Sequence, residues 1–169
     1  SHTDKFIEAC LPSLLAPGNL PSMRERRPVK FRIYTTSPDA RRIQESPIFS
    51  MLADLVDVEI NVTLVSEWLQ RQEQEHPGSE AVKRPVVTFC YADAIKDTNA
   101  DDGAWIRAHP DGAYADGSFS NVATIALSGK RLIMASGGLR TNQKQMLPAL
   151  FSRFRTGDGP MSVPARDMV

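Results

Sequence analysis

The sequence reads as an α/β protein: layered, with a mainly parallel or mixed central sheet flanked by helices. Three observations carry this reading. Alternating apolar and polar side chains rich in strand formers appear in VKFRIYTT, residues 29–36, and again in VDVEINVTLV, residues 56–65. Between and after them stand helix-start signals, Ser37-Pro38 and Ser46-Pro47, a capping residue followed by proline. Strand and helix patterns then keep alternating to the end of the chain, which is the signature of a layered sheet rather than of separate α and β parts.

A chain of 169 residues suits one domain with a sizeable core. Its hydrophobic content of 41% and charged content of 24% are those of an ordinary globular protein. Lys+Arg 20 balances Asp+Glu 20, a formal net charge of +0, so no basic excess recruits nucleic acid or an anionic membrane. No apolar run is long enough to span a bilayer and nothing reads as a signal peptide, so the expected location is cytoplasmic. Cys10 and Cys90 each lie in an apolar segment and neither has a metal-ligand spacing. Two buried free thiols are expected rather than a disulfide.

Residues 4–15 carry Phe6, Ile7, Cys10, Leu11, Leu14 and Leu15 at helical spacing, with Pro12 expected to kink or end the helix. PGNLP, residues 17–21, reads as a loop, and the basic residues 24–27 as a solvated lead-in to the first strand. Helices follow from Pro38 to about Gln44 and from Pro47 onward, the second carrying Phe49, Leu52 and Leu55. After the strand at 56–65, Ser66 should cap a polar helix ending near Glu75 and HPGS. Residues 86–99 read as a helix, with a strand at 86–91 as the competing pattern; Asp101-Asp102-Gly103 is a turn. AWIRA, residues 104–108, reads as a short buried strand, and residues 118–128 as a helix stopped by Gly129. KRLIMAS, residues 130–136, reads as a further strand, followed by GGLR and a helix over about 141–154. The tail closes on a cap-and-proline signal at Ser162 and Pro164.

HPDGAYADGS, residues 109–118, concentrates two acids, two glycines and a hydroxyl between an expected strand and an expected helix. In open α/β sheets ligands gather at the carboxyl ends of strands, beside helix N-termini whose amides suit a phosphate. A carboxylate there suits a hard divalent cation. Asp111 is thus a candidate ligand or metal contact, with a plain Asp-Gly turn as the alternative. Asp116 and Ser118 are candidates for the same corner, with simple helix capping as the alternative. Gly138 and Arg140 of GGLR offer close backbone approach and a bidentate phosphate donor, or else a flexible turn. Thr35, Thr36 and Asp39 close another strand, positioned for a base or ribose or for capping. His109 is a candidate base or ligand, though turn histidines are more often structural.

LPSLLAPGNLP (residues 11–21), KFRIYTTSPDARRIQESPIF (30–49), HPDGAYADGSFSNV (109–122) and GKRLIMASGGLR (129–140) resemble a group of bacterial glycosyltransferase-like proteins of the nucleotide-diphospho-sugar transferase, or GT-A, fold. The resemblance covers most of the chain. It implies a Rossmann-like domain over residues 1–169, incomplete at both ends and belonging to a longer polypeptide, whose missing first strand precedes the opening helix. It implies a nucleotide-diphosphate sugar as partner and Mn²⁺ or Mg²⁺ as cofactor. Asp111 matches one acid of the fold's Asp-any-Asp motif; His109 stands where the other acid belongs, and no residue matches the general base. Two functions follow: a sugar-nucleotide-dependent transferase, and a non-catalytic GT-A-like binding or interaction domain. A flavodoxin-like or other doubly wound binding domain is a third.

Overall fold

The computed structural model describes residues 1–75, 83–100, 103–129 and 142–168. They fall into two units, one of Ser1–Val29, Ile43–Asp57 and Ala108–Val169, the other of Lys30–Arg42 and Val58–Arg107. The chain is α/β, mostly helical, with one small parallel sheet among the described residues. No helix among them is long and apolar enough to cross a membrane.

The sheet pairs β1 (Lys30–Tyr34) with β2 (Asp57–Asn61). Parallel strands need a crossover, supplied here by α4 (Ser37–Gln44) and α5 (Pro47–Leu55). Both helices begin at the expected Ser-Pro signals, but the caps differ from expectation. α4 already includes Ser37, and it is the carbonyl of Thr36 that accepts from the Ala40 amide at 2.8 Å. Ser46 precedes α5, yet its hydroxyl donates back to the Ile43 carbonyl at 2.6 Å.

The alternation through residue 65 overstates β2. The strand stops at Asn61, and Thr63–Glu75 forms α6, with the Ser66 amide inside the helix bonded to the Val62 carbonyl. Val65 and Trp68 recur at helical spacing and are buried and half-buried, so a helical face wins over period two. Lys83–Ala100 forms α7, as the helical reading of 86–99 expected, and α7 packs on α6. AWIRA does not form a strand: residues 103–109 carry no ladder, and Trp105 is exposed. The expected strand over 130–136 lies outside the described residues.

The first unit opens with α1 (His2–Lys5), a π-helical stretch Phe6–Cys10, and α2 (Leu11–Leu14), one continuous helical run. Pro12 does not end it. It lies inside the run, just after the widened π turn Phe6–Cys10. α3 (Leu20–Arg26) replaces the expected solvated lead-in, with Pro21 in its first turn. α8 (Ser118–Leu127) follows the 109–117 loop and ends at Gly129, whose φ of +85° makes the expected glycine stop. α9 (Gln143–Phe154) is capped by Asn142, whose side chain accepts from the Lys144 amide at 3.1 Å. At the tail, Ala165–Asp167 makes one 3₁₀ turn after Pro164. The core of this unit gathers Leu11, Leu14, Leu52, Met161 and Val163, all fully buried.

Asn19 ties the unit together. Its side chain is fully buried. The amide nitrogen donates to the carbonyls of Ser13 at 2.8 Å and Ala115 at 3.2 Å, and its oxygen accepts from the Phe119 amide at 3.0 Å. The N-terminus of α8 is therefore capped by a residue about a hundred positions earlier. Neither Asp116 nor Ser118 is the cap: Gly117, at φ +88°, takes that place with no side-chain bond. Gly18 lies so close that a Cβ there would meet the Asp116 carboxylate and the Gly117 nitrogen, both at 2.7 Å.

Urea unfolding of three variants checks this arrangement. Asn19→Ala strands three backbone partners, two of them buried, and should cost about 2–4 kcal/mol. Gly18→Ala should cost about 1–3 kcal/mol through overpacking. Ser118→Ala should stay within about 0.5 kcal/mol. A Ser118→Ala loss equal to that of Asn19→Ala would restore Ser118 as the cap.

Candidate functional site

Beyond the carboxyl end of β1 the chain carries Thr35, Thr36 and Asp39, all in the second unit. The Thr35 amide donates to the Asn61 carbonyl at 3.3 Å, pairing the residue after β1 with the last residue of β2. The Thr36 hydroxyl donates to Asp39 Oδ2 at 3.1 Å, and Arg42 lies 3.9 Å from the other oxygen of that carboxylate. A hydroxyl, a carboxylate and a guanidinium thus share the place where open α/β sheets take ligands.

Behind this end, Arg32 gathers the side chains that fix α7 to the sheet. Its guanidinium pairs with Asp97, approaches Glu59 at 3.2 Å and lies 3.8 Å from Asp93. Lys30 reaches Glu59 at 3.2 Å, and the Tyr34 hydroxyl donates to Asp93 at 2.8 Å. The hydrogen bond to Asp97 raises the Arg32 pKa further, and the same bond holds the Asp97 carboxyl below its ordinary 3.8. Burial, then the bond to Asp93, pushes Tyr34 up to about 12. A centred, sparingly exposed guanidinium satisfied by carboxylates from β2 and α7 is a positioning device.

In the first unit His109-Pro110-Asp111-Gly112 forms a tight turn, closed by the Gly112 amide on the His109 carbonyl at 3.2 Å. Asp111 stands exposed at its tip, 3.9 Å from His2 Nδ1. The same His109 carbonyl accepts from Cys10 Sγ at 3.4 Å. Burial pushes the Cys10 thiol up to about 12, and the Asp111 carboxylate adds to the shift, so Cys10 is an unreactive packing residue at neutral pH. Both cysteines are free and buried, as expected.

Asp116 is spent inside the protein. Oδ1 accepts from the Gly18 amide at 2.7 Å and Oδ2 from the Ser162 hydroxyl at 2.6 Å, while the Asp116 amide donates to the Val163 carbonyl at 2.8 Å. The first amides of α8 are likewise engaged: Ser118 by the Ala115 carbonyl, Phe119 by Asn19, Ser120 by the Gly18 carbonyl and Asn121 by the Gly117 carbonyl. The corner read from ADGS as open to a phosphate is closed by protein oxygens. Ser162 likewise serves Asp116 rather than capping a helix.

Gly138 and Arg140 lie outside the described residues. Among the described residues no group of three His, Cys, Asp or Glu side chains could hold a metal. The His2–Asp111 pair is not a donor set for Mn²⁺ or Mg²⁺. Sequence reasoning passed over Asn19, although it lies in the quoted LPSLLAPGNLP. It also passed over the Arg32 cluster, whose members are spread over three elements. No family model, curated protein or solved structure matches the chain.

The Arg32–Asp97 pair gives an acid dependence of known sign. Asp97 has a folded pKa below its unfolded value, so its stabilisation is present above about pH 4 and fades as the pH falls further. Thermal melts from neutral to acid pH should show Asp97→Asn less stable than wild type at neutral pH, with the two curves converging on acidification. Parallel curves would remove Asp97 from the acid response.

Proposed function

We propose that the chain is a GT-A-like domain that binds a nucleotide-diphosphate sugar, with the nucleoside part at the carboxyl end of β1. One observation carries the reading. Thr35, Thr36 and Asp39 follow the end of a strand in a parallel pair, with the Thr36 hydroxyl and the Asp39 carboxylate oriented together at 3.1 Å. The Asp39 carboxylate accepts a ribose hydroxyl and the threonines hydrogen-bond the polar edge of the nucleoside. The resemblance of KFRIYTTSPDARRIQESPIF and HPDGAYADGSFSNV to glycosyltransferase-like proteins supports the same reading.

A second reading is binding without sugar transfer. His109 in the place of the motif's other acid, and the lack of a residue matching the general base, favour it.

Calorimetric titration with uridine, guanosine and adenosine diphosphates, with and without Mn²⁺, tests the proposal. At least one should bind. Asp39→Asn should weaken that affinity by about 1–3 kcal/mol, as expected for a charged hydrogen bond. No binding by any of the three would refute the reading. Release of nucleoside diphosphate from a nucleotide sugar would separate a transferase from a binding domain.

A further inference from the structure

α4 begins just beyond the carboxyl end of β1 and carries two adjacent arginines, Arg41 and Arg42. Its buried residues, Ala40 and Ile43, set which way the others face. Asp39 and Arg42, three positions apart, stand on the same flank of that buried stripe. Arg41, two positions from Asp39, stands exposed on the opposite flank. The contacts agree with this spacing. Arg42 Nη1 lies 3.9 Å from Asp39 Oδ1, while the Thr36 hydroxyl donates to Asp39 Oδ2 at 3.1 Å. Thr36, Asp39 and Arg42 all belong to the second unit.

At 3.9 Å the contact between Arg42 and Asp39 is an ion pair rather than a hydrogen bond, and the Arg42 side chain is 49% exposed. Such a pair contributes little to folding. Its consequence is local and electrostatic. A nucleoside diphosphate whose ribose meets Asp39 brings its phosphates close to a carboxylate, and like charges repel. A guanidinium beside that carboxylate offsets the repulsion and presents a planar fork of donors that matches phosphate oxygens in pairs. A ribose carries its hydroxyls and its 5′-phosphate on one ring. An acceptor and a cation side by side therefore suit the two ends of one ribose phosphate.

We propose that Arg42 is the diphosphate-binding residue of this corner and makes it select a nucleoside diphosphate over the bare nucleoside. The inference rests on the nucleotide reading and adds to it the residue that holds the phosphates. Arg42 binds and orients, with no part in bond-making. Arg41, on the other flank of α4, lies outside the corner and serves as the control of equal charge.

The test is calorimetric titration with uridine, guanosine and adenosine diphosphates, and then with the three nucleosides, measured by displacement of the bound diphosphate. Arg42→Gln should weaken whichever diphosphate binds about tenfold and its nucleoside no more than about twofold. Arg41→Gln should leave both within about twofold, with melting curves confirming that the variants fold. In an Asp39→Asn background Arg42→Gln should still weaken the diphosphate, because the phosphate contact is its own. If a diphosphate binds and Arg42→Gln changes its affinity no more than Arg41→Gln does, the assignment is overturned and the nucleotide reading stands. Equal losses for diphosphate and nucleoside, or no loss once Asp39 is neutral, also overturn it, since Arg42 would then act only on the carboxylate. If no diphosphate binds, both fall together.

Discussion

The buried amide of Asn19 is the contact on which the first unit depends. It joins the Ser13 carbonyl, the Ala115 carbonyl and the Phe119 amide through one side chain. Around it the geometry leaves little slack: Gly18 touches the Gly117 backbone, Asp116 holds the Gly18 amide, and Ser162 holds Asp116. A carboxamide is suited to this place because it both donates and accepts, and satisfies both strands of the junction without carrying a charge into the interior. Among the described residues no buried side-chain nitrogen or oxygen lacks a partner. The fully buried Met161 and Val163 flank Ser162, so the tail is fastened by backbone bonds, a side-chain bond and apolar burial at once.

In the second unit the same economy is reached with charges. Arg32, on β1, meets carboxylates from β2 and from two successive turns of α7. The cluster ties α7 to the sheet. A guanidinium does this better than an ammonium, since its fork serves several acceptors in defined directions. The polar residues of the proposed ligand corner, Thr36 and Asp39, sit one step beyond this anchor and are oriented by each other.

How legible this was depended on the range of the interactions. Local signals were read well. The Ser-Pro starts of α4 and α5, the helical spacing of α7 and the Gly129 stop all rest on forces within a few residues. Period two misled where an apolar run served two structures: the alternation of residues 56–65 continued past Asn61 into the first turn of α6. AWIRA looked like a buried strand because it is apolar and short, but Trp105 faces solvent. The capping of α8 could not be read locally at all. Asp116 and Ser118 have the right chemistry and the right position, yet the acceptor comes from Asn19, brought in by the fold. Of the candidate site residues, Thr35, Thr36 and Asp39 occupy the strand end expected of them, and Asp111 the exposed tip of its turn. Asp116 was recognised as special for a reason that proved to be structural.

The central claim, that Asn19 couples α2 and the 15–19 loop to the start of α8, is tested most directly by native-state hydrogen exchange at single-residue resolution. If it holds, the Gly18, Phe119 and Asp116 amides exchange only through a common, large-scale opening, with protection close to that of the core around Leu11 and Leu52. If the Phe119 amide exchanges as fast as those of the exposed 109–112 turn, while Leu11 and Leu52 stay protected, Asn19 is not the cap and the account of the unit fails.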